Sequence, residues 1–457
     1  MVTRKFVDCT LTINDLNSIN IVYYDEEGTK CSERGSLGSD SIAQLTVKRL
    51  NEWVNFGLKQ EASPGRDNPL TVDDLKIIGL MLYGILFHDE NIKNLFNEVY
   101  RRFDLDYRTE AAKGDNSLRL RLRLVFRQPL AQLDRLPWEF LFIPDPNKPE
   151  DGFFFTGAKT ELILTRYVPQ SELVKRLGDA APGILKILVA VSRPTGLGSI
   201  PNEDIDKVIA QMREIKKAQV RVLKDGECTA KRLYEELQDF TPHIFHFIGH
   251  GEAGKLAFVM DPKDPNYRET EEFQRQWVTS KDLEQLFVKC NPKPRLVFLH
   301  ACKGAASDSL EAFNSCALEL VRSDIPAVVA MQYNISVDDA GLFAKTFYEE
   351  LGQGCDVDEA VRAGREALGT LVHPFYQHPR FGTPVVYLQT DKPIVIPQIE
   401  EAEAEEQPSE ETTTSIVGGT SRVAPTTTTT TQRPERSAPV AAVRQEHEKT
   451  TFGGKTS

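Results

Sequence analysis

Between residues 183 and 390 the chain alternates short apolar runs with segments whose apolar residues recur every three or four positions. The runs at 184–191, 243–248, 295–300, 327–330 and 384–388, with a shorter one at 220–223, have the length of strands buried on both faces. Between them, 203–217 carries Ile205, Val208, Ile209, Met212 and Ile215 at helical spacing. The same period marks helices at 229–237, 279–287, 310–323, 337–351 and 357–369, with Thr229 placed to cap the first of these. Strands separated by helices require crossover connections. Crossovers build a mostly parallel sheet with helices on both faces, so the expected fold class is α/β.

The first 175 residues are also mixed. Strands are predicted at 11–13, 20–23, 118–125 and 162–166, and helices at 41–56, 72–87 and 91–103. Arg119, Arg121 and Arg123 alternate with leucines along one of these strands, and the alternation reads as a solvated face. The segment 254–277, with its acidic residues and prolines, reads as a loop. No repeat of fixed period is present. From 398 the composition changes to an acidic run at 400–411, a threonine run at 426–431, and Pro, Ser and Gly. Such a segment cannot bury enough apolar surface to offset chain entropy. The expected organisation is an N-terminal α/β half at 1–175, a second α/β unit at 183–395 and a disordered tail at 398–457.

Composition narrows the function. The 457 residues are 40% hydrophobic and 27% charged, with a net charge of −12. An acidic chain gives no general support to nucleic-acid or anionic-membrane binding. The first fifteen residues lack the apolar core of a signal peptide, and no stretch reaches the roughly 18 apolar residues of a membrane span. A cytoplasmic location is expected. Seven cysteines, odd in number and without a CxxC pair, are read as free thiols rather than a disulfide framework.

Two blocks carry candidate chemistry: His246-Phe-Ile-Gly-His250-Gly251-Glu252, and Val297-Phe-Leu-His-Ala-Cys302-Lys-Gly304. Each is an apolar strand that ends in a reactive side chain beside small residues. Sites in parallel sheets gather at the carboxyl ends of strands. A thiolate can attack a peptide carbonyl while a histidine takes the thiol proton and later protonates the leaving amine. Cys302 is therefore the candidate nucleophile and His250 its acid/base partner. The Gly251 and Cys302 backbone N–H groups are the candidate oxyanion donors. The 52 positions from 250 to 302 are close to the roughly 50 by which histidine precedes cysteine in caspases. Cys9, Cys31, Cys228, Cys290, Cys316 and Cys355 lack this context and are read as structural. His246 is read as a core histidine with one hydrogen bond.

The two blocks together resemble those of CHAT-domain peptidases, relatives of caspases and separases. So do Leu136-Pro-Trp-Glu-Phe-Leu141 with 152–155 and 162–166, and the run from Ile325 to Gln332 leading into 338–344. The resemblance spans about 118–390. It implies a caspase-like catalytic domain at 183–395, an inactive companion half or a regulatory domain at 1–175 packed on its sheet, and a cysteine endopeptidase that uses His250 and Cys302 through a thioester. It further implies that Gln332, Tyr333, Asn334 and Ser336 help form the pocket for the residue before the cut. Separase-like relatives place an acid near here; this chain has Asn334, so a basic preference is not implied. The implied partners are a protein substrate and a separate activating or sensor protein, or activation by self-cleavage, in a prokaryotic defence or death-like pathway.

The same residues admit other readings. His243, His246, His250, His300 and Cys302 lie on strands rather than on chelating loops, so no metal is expected, and the chemistry requires no cofactor. Lys303-Gly304 reverses the order of a phosphate-binding loop. A silent caspase-like scaffold is the alternative to the peptidase, and a hydrolase of non-peptide bonds is a third.

Overall fold

Every apolar run read as a strand between 183 and 390 forms one in the computed structural model. The structure describes residues 4–15, 17–24, 28, 30–37, 71–127, 133–134, 136–156, 161–168, 183–197, 202–215, 218–252, 254–268, 273–301, 308–323, 325–332, 337–370, 379–390 and 395. The chain opens with β1 (Lys5–Asp15), β2 (Ser18–Tyr24) and β3 (Lys30–Gly35). Helices α1 (Val72–Leu86) and α2 (Glu90–Ala112) follow, then β4 (Leu118–Phe126), the short β5 (Phe142–Ile143) and β6 (Phe153–Phe154), and β7 (Leu162–Tyr167). Next come β8 (Leu185–Val191), α3 (Asn202–Arg213), β9 (Ala218–Lys224), α4 (Ala230–Phe240) and β10 (Ile244–Gly249). Then follow β11 (Gly251–Glu252), β12 (Lys255–Val259), β13 (Arg275–Thr279), α5 (Ser280–Val288) and β14 (Leu296–Ala301). The series closes with α6 (Asp308–Arg322), β15 (Ala327–Met331), α7 (Val337–Gly352), α8 (Val357–Thr370) and β16 (Pro384–Leu388).

Among the described residues these strands build one 11-stranded sheet in the order β3-β2-β1-β4-β7-β16-β15-β14-β10-β8-β9. Pairing is antiparallel at β3–β2, β2–β1 and β16–β15 and parallel elsewhere. The strands of 1–175 and of 183–395 thus share one sheet, joined where β7 lies beside β16, with Tyr387 paired to Arg166 and Leu388 to Tyr167.

Burial on both faces explains the unbroken apolar runs. Ile244 and Ile248 of β10 pack with Leu296 and Phe298 of β14 beneath α3, α7 and α8. Phe245, Phe247, Val297 and Leu299 pack on the opposite face beneath α4, α5 and α6. A further core joins Leu120, Leu122 and Leu124 of β4 to α1, α2, Trp138 and Phe140. Helix starts are set by local chemistry. Thr71 and Asp74 form a capping box on α1, and Thr279 and Asp282 form one on α5. Thr229 caps α4 by accepting from the Arg232 N–H.

Three expectations change. The arginine face of β4 is not solvated: Arg119 is 4% and Arg121 2% exposed. The acidic start of α8 lies over it. Arg119 Nε donates to Glu359 at 3.2 Å, and Arg121 Nη2 donates to Asp356 at 2.6 Å and to Asp358 at 3.2 Å. Buried charges require such partners. Second, 254–277 is not all loop, because β12 pairs with β11 on one side and β13 on the other in a three-stranded antiparallel sheet. Third, α2 runs on to Ala112, nine positions beyond the apolar periodicity. The expected helix at 41–56 and the expected tail from 398 lie outside the described residues.

Candidate active site

β10 and β14 run side by side in the same direction, with Ile244 opposite Leu296 and Gly249 opposite Ala301. Their carboxyl ends are level. Gly249 is required there by close approach: a Cβ would stand 2.7 Å from the Phe247 ring and 3.0 Å from the Ser192 carbonyl. The Ser192 N–H, at the end of β8, donates to the Ile248 carbonyl at 2.9 Å, which draws a third strand end to the same place.

His250 follows Gly249 directly and is 4% exposed. Its carbonyl accepts from the Ala257 N–H at 2.9 Å, which ties it to β12. That bond makes 250 and 257 a hydrogen-bonded pair of the small sheet. Gly251 and Leu256 are then a non-bonded pair, and on the outer strand β11 the Gly251 N–H points away from the ladder. Cys302 follows Ala301 directly in sequence and lies outside the described residues, as do Tyr333, Asn334 and Ser336.

Five of the other thiols sit in settings that oppose ionisation. Burial pushes Cys9 and Cys228 up to about 12 and Cys316 higher still. Burial, together with Glu350, raises Cys355 to about 12, and burial raises Cys290. None of these five offers a thiolate near neutral pH.

Gln332, at the carboxyl end of β15, is 3% exposed, and its side-chain amide is fully engaged. Its Oε1 accepts from Arg166 Nη2 at 3.3 Å, and its Nε2 donates to Glu139 at 2.8 Å and to the Gly382 carbonyl at 2.6 Å. Arg166 in turn donates to both oxygens of Glu139, at 3.2 and 2.6 Å, and to the carbonyls of Asp134 and Leu136. The three sequence segments around Trp138, Arg166 and Gln332 therefore meet in one buried cluster at the end of β15. Glu139 and Arg166 lie in segments that carry the resemblance to CHAT-domain peptidases, which by itself gives neither a place in the site. Their signal was a charge set within apolar residues, which a buried segment tolerates only in pairs.

His246 is fully buried, with Nδ1 2.8 Å from the Tyr348 hydroxyl, and its ring lies 4.3 Å from that of Phe298. Burial holds His246 well below the usual histidine range and His300 at about 4, so both are neutral. Among the described residues no group of three or more His, Cys, Asp or Glu side chains could hold a metal ion. No described helix is long and apolar enough to cross a membrane.

Comparison with known proteins gives a family and distant structural similarities. The separase of the Saccharomyces cerevisiae separase–securin complex is similar at 12% identity and a TM-score of 0.46, over 84% of this chain and 30% of that one. The chain thus spans 30% of the yeast protein's length. The complex of the Porphyromonas gingivalis RgpB pro- and mature domains is similar at 12% identity and a TM-score of 0.35, over 78% of both chains. No curated protein matches by sequence. The CHAT domain matches residues 90–383, more than half of the sequence and all of the strands from β4 to β15. The chain belongs to the CHAT domain family.

Proposed function

We propose that the protein is a cysteine endopeptidase, with Cys302 as nucleophile and His250 as general acid and base. The observation that carries this reading is the register of β10 and β14. Gly249 and Ala301 are partners at the level ends of parallel strands, and the next residues in sequence are His250 and Cys302. Membership of the CHAT family supports the same assignment.

In this reading His250 takes the Cys302 thiol proton, and the sulfur bonds to the substrate carbonyl carbon. The carbonyl oxygen becomes an oxyanion, held by the Gly251 and Cys302 N–H groups. The outward direction of the Gly251 N–H suits that role. The C–N bond then breaks as the imidazolium protonates the leaving amine, which leaves a thioester. Water, deprotonated by His250, attacks the thioester and releases the acid and the thiol.

The segment from Gln332 through Tyr333, Asn334 and Ser336 forms the pocket for the residue before the cut. Gln332 contributes through the placement of its backbone, because its amide is already bonded. Residues 183–395 act as the catalytic half and 1–175 as its companion. A separate partner or self-cleavage activates the enzyme, in the cytoplasm, within a prokaryotic defence or death-like response.

The test is intact-mass analysis of a proteome-derived peptide library, and of the protein itself, incubated with wild type or Cys302→Ala. Cuts made only by wild type support the peptidase. If no cuts appear and Cys302 does not react with alkylating reagents, the chain is a silent scaffold.

A further inference from the structure

Two imidazoles are buried beneath α7, on the strands that lead to His250 and Cys302. His246 of β10 is opposite Phe298, and His300 stands one two-residue step further along β14 on the same face. Their ring centres are 5.7 Å apart. His246 is 0% and His300 3% exposed. Among the described residues, His246 Nε2 and His300 Nδ1 are buried without a hydrogen-bond partner. Neither histidine serves the reaction proposed above, which uses neither ring.

Buried polar atoms left without partners are rare, and the common remedy is an internal water with two or more polar neighbours. Here two such atoms lie on neighbouring rings of adjacent strands. The face is otherwise closed by Phe298, Phe343, Phe347 and Tyr348, which offer one further polar group, the Tyr348 hydroxyl already on His246 Nδ1.

We propose that one internal water molecule is held between His246 Nε2 and His300 Nδ1, completing a chain of hydrogen bonds from the Tyr348 hydroxyl. The protons follow from the groups present. Burial keeps Tyr348 protonated, and in the proposed arrangement its O–H donates to His246 Nδ1. His246 then carries its own proton on Nε2 and donates it to the water. The water donates to His300 Nδ1, so His300 also carries its proton on Nε2. Both rings are neutral in this arrangement, which agrees with their burial. The chain fastens α7 to the last turns of pleat of β10 and β14. His246, His300 and Tyr348 are therefore positioning residues for the strand ends, whatever bond the protein cleaves.

A crystal structure of the full chain at a resolution that shows waters tests the site directly. One water peak within about 2.7–3.2 Å of both nitrogens is expected. A dry gap, a direct contact between the rings, or a metal ion in that place overturns the proposal. Long-range proton–nitrogen spectra of the histidine-labelled protein give a test that needs no variant in the relay. Both rings are expected as the Nε2–H form at pH 7, and an Nδ1–H form on either one overturns the relay. Urea unfolding of His246→Phe, His300→Phe and the double variant supplies the third arm. The double variant should unfold at a midpoint no lower than the weaker single variant, since either change alone already strands the water. Additive losses mean that the two rings are independent, and the idea fails.

Discussion

Arg166 and Glu139 form a two-point ion pair, 3.2 and 2.6 Å, with both side chains 1% exposed. It ties β7 to the carboxyl end of β15 across the intervening β16, and Gln332 is bonded to both partners. Removing one member leaves the other charge buried and uncompensated, which costs about 3–5 kcal/mol. Glu139→Ala is expected to lower unfolding free energy by that order in urea. Glu139→Gln keeps the shape and one acceptor and should cost less. Equal losses for the two would show that the charge is not what matters.

Gly249→Ala probes the strand ends. The new methyl meets the Phe247 ring and the Ser192 backbone carbonyl, and a backbone atom cannot rotate away. Strain of about 1–3 kcal/mol is expected. Because the displaced segment leads directly into His250, peptidase activity should fall by more than the stability loss explains. A variant with full activity in the intact-mass assay would disprove the placement.

Much of this frame was legible from the sequence, and the reasons are local. Apolar runs of strand length announced β8, β10, β14, β15 and β16, and reactive residues beyond two of them announced the candidate dyad. Register was not legible, because the pairing of Gly249 with Ala301 is set by packing across the crossover that joins the two strands. The arginines of β4 misled for a related reason. Alternation looks the same whether the polar face meets water or the acidic first turn of a helix more than two hundred residues away. Only the fold brings Asp356, Asp358 and Glu359 to Arg119 and Arg121. The hairpin of β12 and β13 was hidden by the polar segment that separates its strands.

Acid should weaken the protein before its carboxylates are protonated. His300 titrates near 4 when folded, against an ordinary 6.5. Between those values the unfolded chain binds the extra proton. Stability is therefore fully present above 6.5 and is lost as the pH falls toward 4. At about 1.4 kcal/mol per unit the full loss is roughly 3 kcal/mol. His246 acts in the same direction. Urea midpoints at pH 7.5 and 5.0 check this: the fall should be smaller in His300→Phe, and an equal fall would assign the effect elsewhere.

Thiol reactivity should single out one cysteine. In the folded protein a limiting dose of alkylating reagent is expected to modify Cys302 at least about tenfold faster than Cys9, Cys228, Cys316 or Cys355, whose burial opposes ionisation. Peptide mapping after brief exposure measures the ratio. His250→Ala should reduce it, since the partner that draws off the thiol proton is gone. An unchanged ratio would separate His250 from Cys302.

The joint between β7 and β16 bears on how this protein can be divided. Val168 N–H donates to the Leu388 carbonyl at 2.7 Å, and Arg166 reaches the Tyr387 hydroxyl at 3.2 Å. A fragment beginning at 183 would carry β16 as a raw edge, with a row of backbone groups open to any passing strand. It would also bury Gln332 without its guanidinium. Such a fragment is expected to aggregate, so the stretch from 183 is not a module that recombination could lend to another protein without its neighbour.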